Sequence, residues 1–303
     1  MNLTRLFPHT PELEKFISPA KHKAEVWRFV LGIILIFAIF TGFLVGGIGL
    51  LTAFAPELLI ADFFAYPYSG LTRASLAIEL FSFSGFALAL LVVLPLLHRR
   101  SFLSLLGPVS HVLKHFLISV LVFFAISLIV GMPLLFVLET IPNQPFASVL
   151  VFLPAAIPLL LIQTGAEEFL FRGYILQQLV TRFKSPWIWL VLPSVVFGLM
   201  HYDPDLPLEK ALGIVVWATL MGILWTDLVR ITGNIGAAFG WHFGNNFVLM
   251  NLFGLNDMYN GFAWRLLPFG YFDTPFLYFI LDPILALVTW GILRRILQKR
   301  HVA

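Results

Sequence analysis

The chain contains no cysteine. That absence excludes disulfides, thiolate metal sites, a cysteine nucleophile and thiol-linked lipid anchors. Charge is scarce as well: only 12% of the 303 residues are Asp, Glu, Lys or Arg, against about a quarter in an ordinary soluble domain. So few charges could not cover a water-soluble surface, and the small net charge of +3 gives no basic face for nucleic acid. Repeats of solenoid length and low-complexity tracts are missing too. What is present is apolar: 59% of residues are hydrophobic and mean hydropathy is +0.92. This composition belongs to a polytopic membrane protein.

Eight apolar segments can be drawn, at roughly 27–55, 74–97, 116–138, 149–181, 187–201, 211–229, 234–253 and 274–293. The expectation is therefore an all-α, polytopic transmembrane helical bundle of about eight spans. The fourth segment is longer than a span and should tilt or project. The fifth is short and fits a partly sunken helix. With both termini in the cytoplasm, most of the 19 Lys and Arg residues fall on the inner side, Arg300 among them. The outer loops hold Arg73, Lys210 and Arg265, as the positive-inside rule requires.

The organisation expected is a cytoplasmic tail (1–26), three N-terminal helices with a basic inner loop (27–148), a core (149–255), and a last outer loop, final helix and basic tail (256–303). Residues 1–26 are too polar, and the first apolar run too long, for a signal peptide. The loop 98–115 reads as a basic connector or as an amphipathic helix on the leaflet. Gly42 and Gly46 form a GxxxG pair that reads as helix packing. Asp227 lies near a span end, where it is expected to reach water.

Ionisable groups inside apolar runs cost several kcal/mol and need a reason. Segment four carries Gln163, Thr164, Glu167, Glu168 and Arg172. Segment five ends at His201, and segment seven carries His242, Asn245 and Asn246. Glu168 and Arg172 are four apart and should pair on one helix face, which leaves Glu167 turned about 100° away. His242 and Asn246 share a face. Gly236, Gly240 and Gly244 make a small-residue stripe on roughly the opposite one, suited to close packing. Taken alone, the Glu168–Arg172 pair is as well explained by structure as by chemistry, and His201, His242 or Asn246 singly is better explained by structure. Together, two carboxylates, two histidines and an amide on three spans point to a functional site.

This set can activate water. Glu167 would act as general base with His201 holding the water, and His242 and Asn246 would donate to a developing oxyanion, so that an amide is hydrolysed. The alternative is a divalent metal such as zinc on Glu167, His201 and His242, although the zinc helix signature H-E-x-x-H is absent. Two non-hydrolytic readings compete. One is an ion-coupled transporter, which should show a two-fold internal repeat that is not seen here. The other is a non-catalytic membrane partner, such as an immunity protein.

These residues, in this order, resemble the CPBP family of intramembrane metalloproteases, which includes the type II CAAX prenyl endopeptidases and bacteriocin-processing enzymes. Glu167-Glu168-x-x-x-Arg172 matches its EExxxR motif, Phe197-x-x-x-His201 its FxxxH, and His242-x-x-x-Asn246 its HxxxN. The resemblance covers roughly 150–255. It implies an eight-helix membrane endopeptidase whose cavity opens toward the cytoplasm. Glu167 and His201 would activate water, His242 and Asn246 would form the oxyanion hole, and Glu168 and Arg172 would support them. No metal is obligatory in that scheme. The implied partners are the bilayer and a membrane-associated protein or peptide substrate. The implied location is the plasma membrane of a bacterium, a setting in which prenylated substrates are not implied.

Overall fold

The computed structural model describes residues 3–58 and 70–299; Arg300, counted above with the inner-side charges, lies outside them. Each of the eight apolar runs is helical. The helices are α1 (Val26–Phe54), α2 (Arg73–His98), α3 (Val109–Val137), α4 (Phe146–Val180), α5 (Trp187–Leu199), α6 (Leu208–Thr232), α7 (Gly236–Phe247) and α8 (Tyr278–Lys299). Among the described residues five helices are long and apolar enough to cross a bilayer: α1, α2, α4, α6 and the Val109–Gly131 part of α3. The α5 helix is a shorter apolar one. Large apolar side chains on the outside of the bundle include Val45, Leu121 and Val151, exposed by 64%, 67% and 81%. Side chains of that kind on so many helices face hydrocarbon rather than water.

Local chemistry sets the helix ends. Thr72 and Ser75 form a reciprocal capping box at the start of α2. Gly233 closes α6 in the left-handed conformation at φ 65°, where its N–H bonds the Val229 carbonyl at 2.9 Å. The loop 98–115 is neither a plain connector nor a surface helix along its length. Phe102–Leu105 forms one 3₁₀ turn, and from Val109 the chain is already α3. Pro108 precedes that helix, where its missing N–H costs nothing, and its carbonyl accepts from His111 and Val112.

The N-terminal segment packs into the bundle. Helix Pro11–Ile17, capped by Thr10, buries Leu13, Phe16 and Ile17. Thr10 donates its hydroxyl to the Arg230 carbonyl at 2.5 Å. Asp227 beside it does not reach water: its side chain is fully buried. It pairs with Arg230 at 2.7 Å and accepts from Arg294 at 3.1 Å and Trp290 Nε1 at 3.0 Å. The C-terminal helix, folding back along α6, supplies the partners that this carboxylate would otherwise seek in solvent.

At the opposite end lies a small sheet of β1 (Ile141–Pro142), β2 (Phe253–Gly254) and β3 (Arg265–Leu266). In it β3 pairs antiparallel with β1 and parallel with β2. Arg265 ties the sheet to Thr140, and Asn143 donates to the Asn260 and Ala263 carbonyls. The loops that follow α3 and α7 are thereby fastened together. Among the described residues the glycine pair on α1 has no packing partner, since a Cβ at Gly42 or Gly46 would meet nothing within 4 Å.

Candidate active site

Two close helix approaches build the site. In the first, α7 lies on α3 through its glycine stripe. A Cβ at Gly236 would stand 2.2 Å from the Val112 carbonyl oxygen, and one at Gly240 would stand 2.2 Å from that of Phe116. Only glycine fits there, so the opposite face of α7, with His242 and Asn246, is pressed toward α4. In the second, α5 lies on α6, with a Cβ at Gly198 coming 2.2 Å from Thr219 Oγ1. That contact sets the end of α5, and so His201, near the α6 face that carries Trp225.

On α4 the polar cluster falls in the last α-helical turns, just before a wider π-helical stretch at Phe169–Ile175. Such bulges recur at functional sites because they turn side chains off the regular spiral. Glu168 is fully buried and accepts from Arg172 Nη1 at 3.1 Å. The same oxygen, Oε1, takes a hydrogen bond from His242 Nδ1 at 2.9 Å. A carboxylate can accept there only if Nδ1 carries the hydrogen, which leaves Nε2 as the working end of the ring. That Nε2 stands 3.5 Å from Glu167 Oε2.

Glu167 is the more open carboxylate, with 14% of its side chain accessible against 0% for Glu168. Its Oε1 accepts from Gln163 Nε2 at 2.9 Å. Its Oε2 is buried and has no hydrogen-bond partner among the described residues. Gln163 in turn accepts from Asn246 Nδ2 at 2.8 Å, and Asn246 Oδ1 accepts from Asn245 at 3.1 Å. One connected network thus runs Arg172–Glu168–His242–Glu167–Gln163–Asn246 across α4 and α7.

The second motif has a dual role for Phe197. Its ring lies under the Arg172 guanidinium at 4.5 Å, a cation–π contact that holds a buried arginine in place. Its carbonyl accepts from His201 Nδ1 at 2.8 Å. His201 therefore presents Nε2 away from its own helix end. It touches none of the network by hydrogen bond or ion pair among the described residues. The sequence-derived set therefore splits. Glu167, Glu168, Arg172, His242 and Asn246 are joined, whereas His201 stands beside them behind Phe197.

The metal alternative fits less well. Among the described residues no three His, Asp or Glu side chains gather at metal-ligand spacing. Within the suggested set, His242 has its Nδ1 committed to Glu168, and His201 is not drawn up to Glu167. Two contributors were not legible as such. Gln163 was visible as a polar residue in an apolar run, and its place four residues before Glu167 was the signal that they meet. Trp225 stacks on His242 with ring centroids 4.3 Å apart, and nothing in an apolar run marks one tryptophan over another.

Fold and site define a helical membrane protein with a buried glutamate–histidine–amide network. Residues 149–248 match the family described as "Type II CAAX prenyl endopeptidase Rce1-like". This bears out the resemblance drawn from the three motifs, and the matched segment contains all six candidate residues. The chain is also similar to the uncharacterized protein YyaK of Bacillus subtilis (strain 168), with 34% identity over 115 residues. That alignment covers 36% of this chain and 37% of the relative, so the chain matches little more than a third of that relative's length. No solved structure matches.

Proposed function

We propose that the chain is an intramembrane endopeptidase that hydrolyses a peptide bond of a membrane-associated protein or peptide. One observation carries this reading: Glu167 has the accessible face of the carboxylate pair, lies 3.5 Å from His242 and is linked to Asn246 through Gln163. The Rce1-like match over the same residues supports it.

In this reaction Glu167 takes a proton from a water molecule, aided by His201 through its free Nε2, and the water oxygen attacks the scissile carbonyl carbon. The carbonyl oxygen becomes an anion. Nε2–H of a protonated His242 and the second N–H of the Asn246 amide stabilise it; the first N–H of that amide is held by Gln163. When the intermediate collapses, the C–N bond breaks and Glu167 returns its proton to the leaving amine. Glu168 holds His242 in one tautomer and orientation through Nδ1, as the buried carboxylate of a hydrolase triad does. Arg172 balances that carboxylate. No step requires a metal.

We place both termini on the cytoplasmic side, because the basic residues gather at that end. The relative in Bacillus subtilis supports a bacterial plasma membrane. The test is cleavage in proteoliposomes, with a panel of membrane-anchored peptides read by mass spectrometry. Glu167→Gln should lose about 10²–10⁴-fold in rate. Undiminished cleavage by that variant removes the proposal.

A further inference from the structure

Where α1 begins and α2 and α4 finish, three arginines converge on one polar patch. Arg28 donates to Glu25 Oε2 at 2.9 Å and to the Leu97 carbonyl at 2.6 Å. Arg182 reaches the Glu25 carbonyl at 3.0 Å and the Gln178 carbonyl. Arg100 donates to Gln177 Oε1 at 2.5 Å. All three guanidinium groups lie close enough to act on the His98 imidazole between them.

The patch has more positive charge than it can neutralise. Among the described residues its ion pair is Arg28 with Glu25, and neither Arg100 nor Arg182 has a carboxylate at that distance. Nε and Nη2 of Arg100 and Nε of Arg182 are buried without a hydrogen-bond partner. Burial pushes the Arg100 guanidinium down to about 10, and the charge of Arg182 adds to this. Buried donors on uncompensated cations call for an anion with several acceptor oxygens.

The surroundings say which kind of anion. Trp27 and Trp187 are 55% and 57% exposed, and the Arg28 guanidinium lies 4.5 Å over the Trp27 ring. Val26, Val30 and Leu96 are exposed close by in sequence. Tryptophans with apolar neighbours on one side and arginines on the other mark the headgroup level of a bilayer. We propose that Arg100 and Arg182, aided by Arg28, bind the phosphate of an anionic phospholipid headgroup. The phosphate diester would supply the acceptor oxygens that the orphaned guanidinium nitrogens lack.

The inference does not depend on the protease reading, and its test reads lipid binding alone. The full chain, purified in detergent, is titrated with dioctanoyl phosphatidylglycerol, dioctanoyl phosphatidylcholine or inorganic phosphate. Bound lipid is counted by native mass spectrometry, and stability is followed by thermal unfolding. Phosphatidylglycerol should bind and raise Tm, while the zwitterionic lipid and inorganic phosphate at matched ionic strength should not. Arg100→Gln and Arg182→Gln should each weaken binding about fivefold, whereas Arg5→Gln, at an exposed position, leaves it unchanged. Should Arg100→Gln fail to fold, Arg182→Gln carries the test, because that side chain lies beyond the helix and is partly exposed. Equal binding by Arg182→Gln and Arg5→Gln overturns the proposal. So does an equal response to phosphatidylcholine or to free phosphate.

Discussion

The indole of Trp225 lies almost parallel to the imidazole of His242, with centroids 4.3 Å apart and planes at 20°. An aromatic face favours a cation held against it by about 1 kcal/mol or more when both are dry, and the stack also fixes the plane of the ring. If His242 works as an imidazolium, Trp225→Leu should lower kcat about tenfold with little change in KM. Trp225→Phe, which keeps a ring face, should recover most of that loss. Steady-state kinetics on both variants decide it.

Glu168 does two jobs that can be separated. It accepts from His242 at 2.9 Å and pairs with Arg172 at 3.1 Å. Glu168→Gln should lower stability by about 3–5 kcal/mol, because Arg172 is left charged, buried and unpaired. It should also cut turnover by at least about 10²-fold, because the imidazole loses its anionic partner. In Glu168→Gln with Arg172→Met the stability should largely return and the turnover should not. Recovery of both together would mean that Glu168 serves structure alone.

Two glycine substitutions should act in opposite directions. Gly240→Ala places a Cβ 2.2 Å from the Phe116 carbonyl oxygen, a backbone contact that cannot swing aside. It should destabilise the protein by about 1–3 kcal/mol and pull His242 out of register. Gly42→Ala meets nothing within 4 Å and should be neutral or raise stability by up to about 1 kcal/mol. Thermal unfolding of the two variants in one detergent is the measurement.

Asp227 ties α8 to α6 and pairs with Arg230, whose guanidinium and carbonyl hold the N-terminal segment. Asp227→Asn leaves Arg230, which is buried, and Arg294 short of their counter-charge. A loss of about 3–5 kcal/mol is expected. Hydrogen exchange should quicken in Pro11–Ile17 along with it, because Arg230 Nη1 holds the Pro8 carbonyl at 2.8 Å. Unchanged protection of that helix would show that its apolar contacts suffice.

Much of this was readable from spacing alone. The four-residue interval from Glu168 to Arg172 predicts the ion pair found between them, and the same interval from His242 to Asn246 puts both on the network. The glycine stripe of α7 predicts close packing on a neighbouring helix, and the structure makes that neighbour α3. Identical logic fails at Gly42 and Gly46, because small residues permit close approach without saying whether a partner is present. It fails at Asp227 as well, since nearness to a span end says nothing about which helix folds across that end.

Composition and intrahelical spacing determined that this chain is a helical membrane bundle and which side chains share a face, because both follow from the free energy of transfer and the 3.6-residue turn. Only the tertiary structure decided that Glu168 rather than Glu167 takes His242 Nδ1, that Gln163 bonds Asn246 and Trp225 stacks on His242, and that His201 stands apart. Those outcomes depend on how far one helix slides and rotates against another, which packing across the whole bundle settles and no local run of residues encodes.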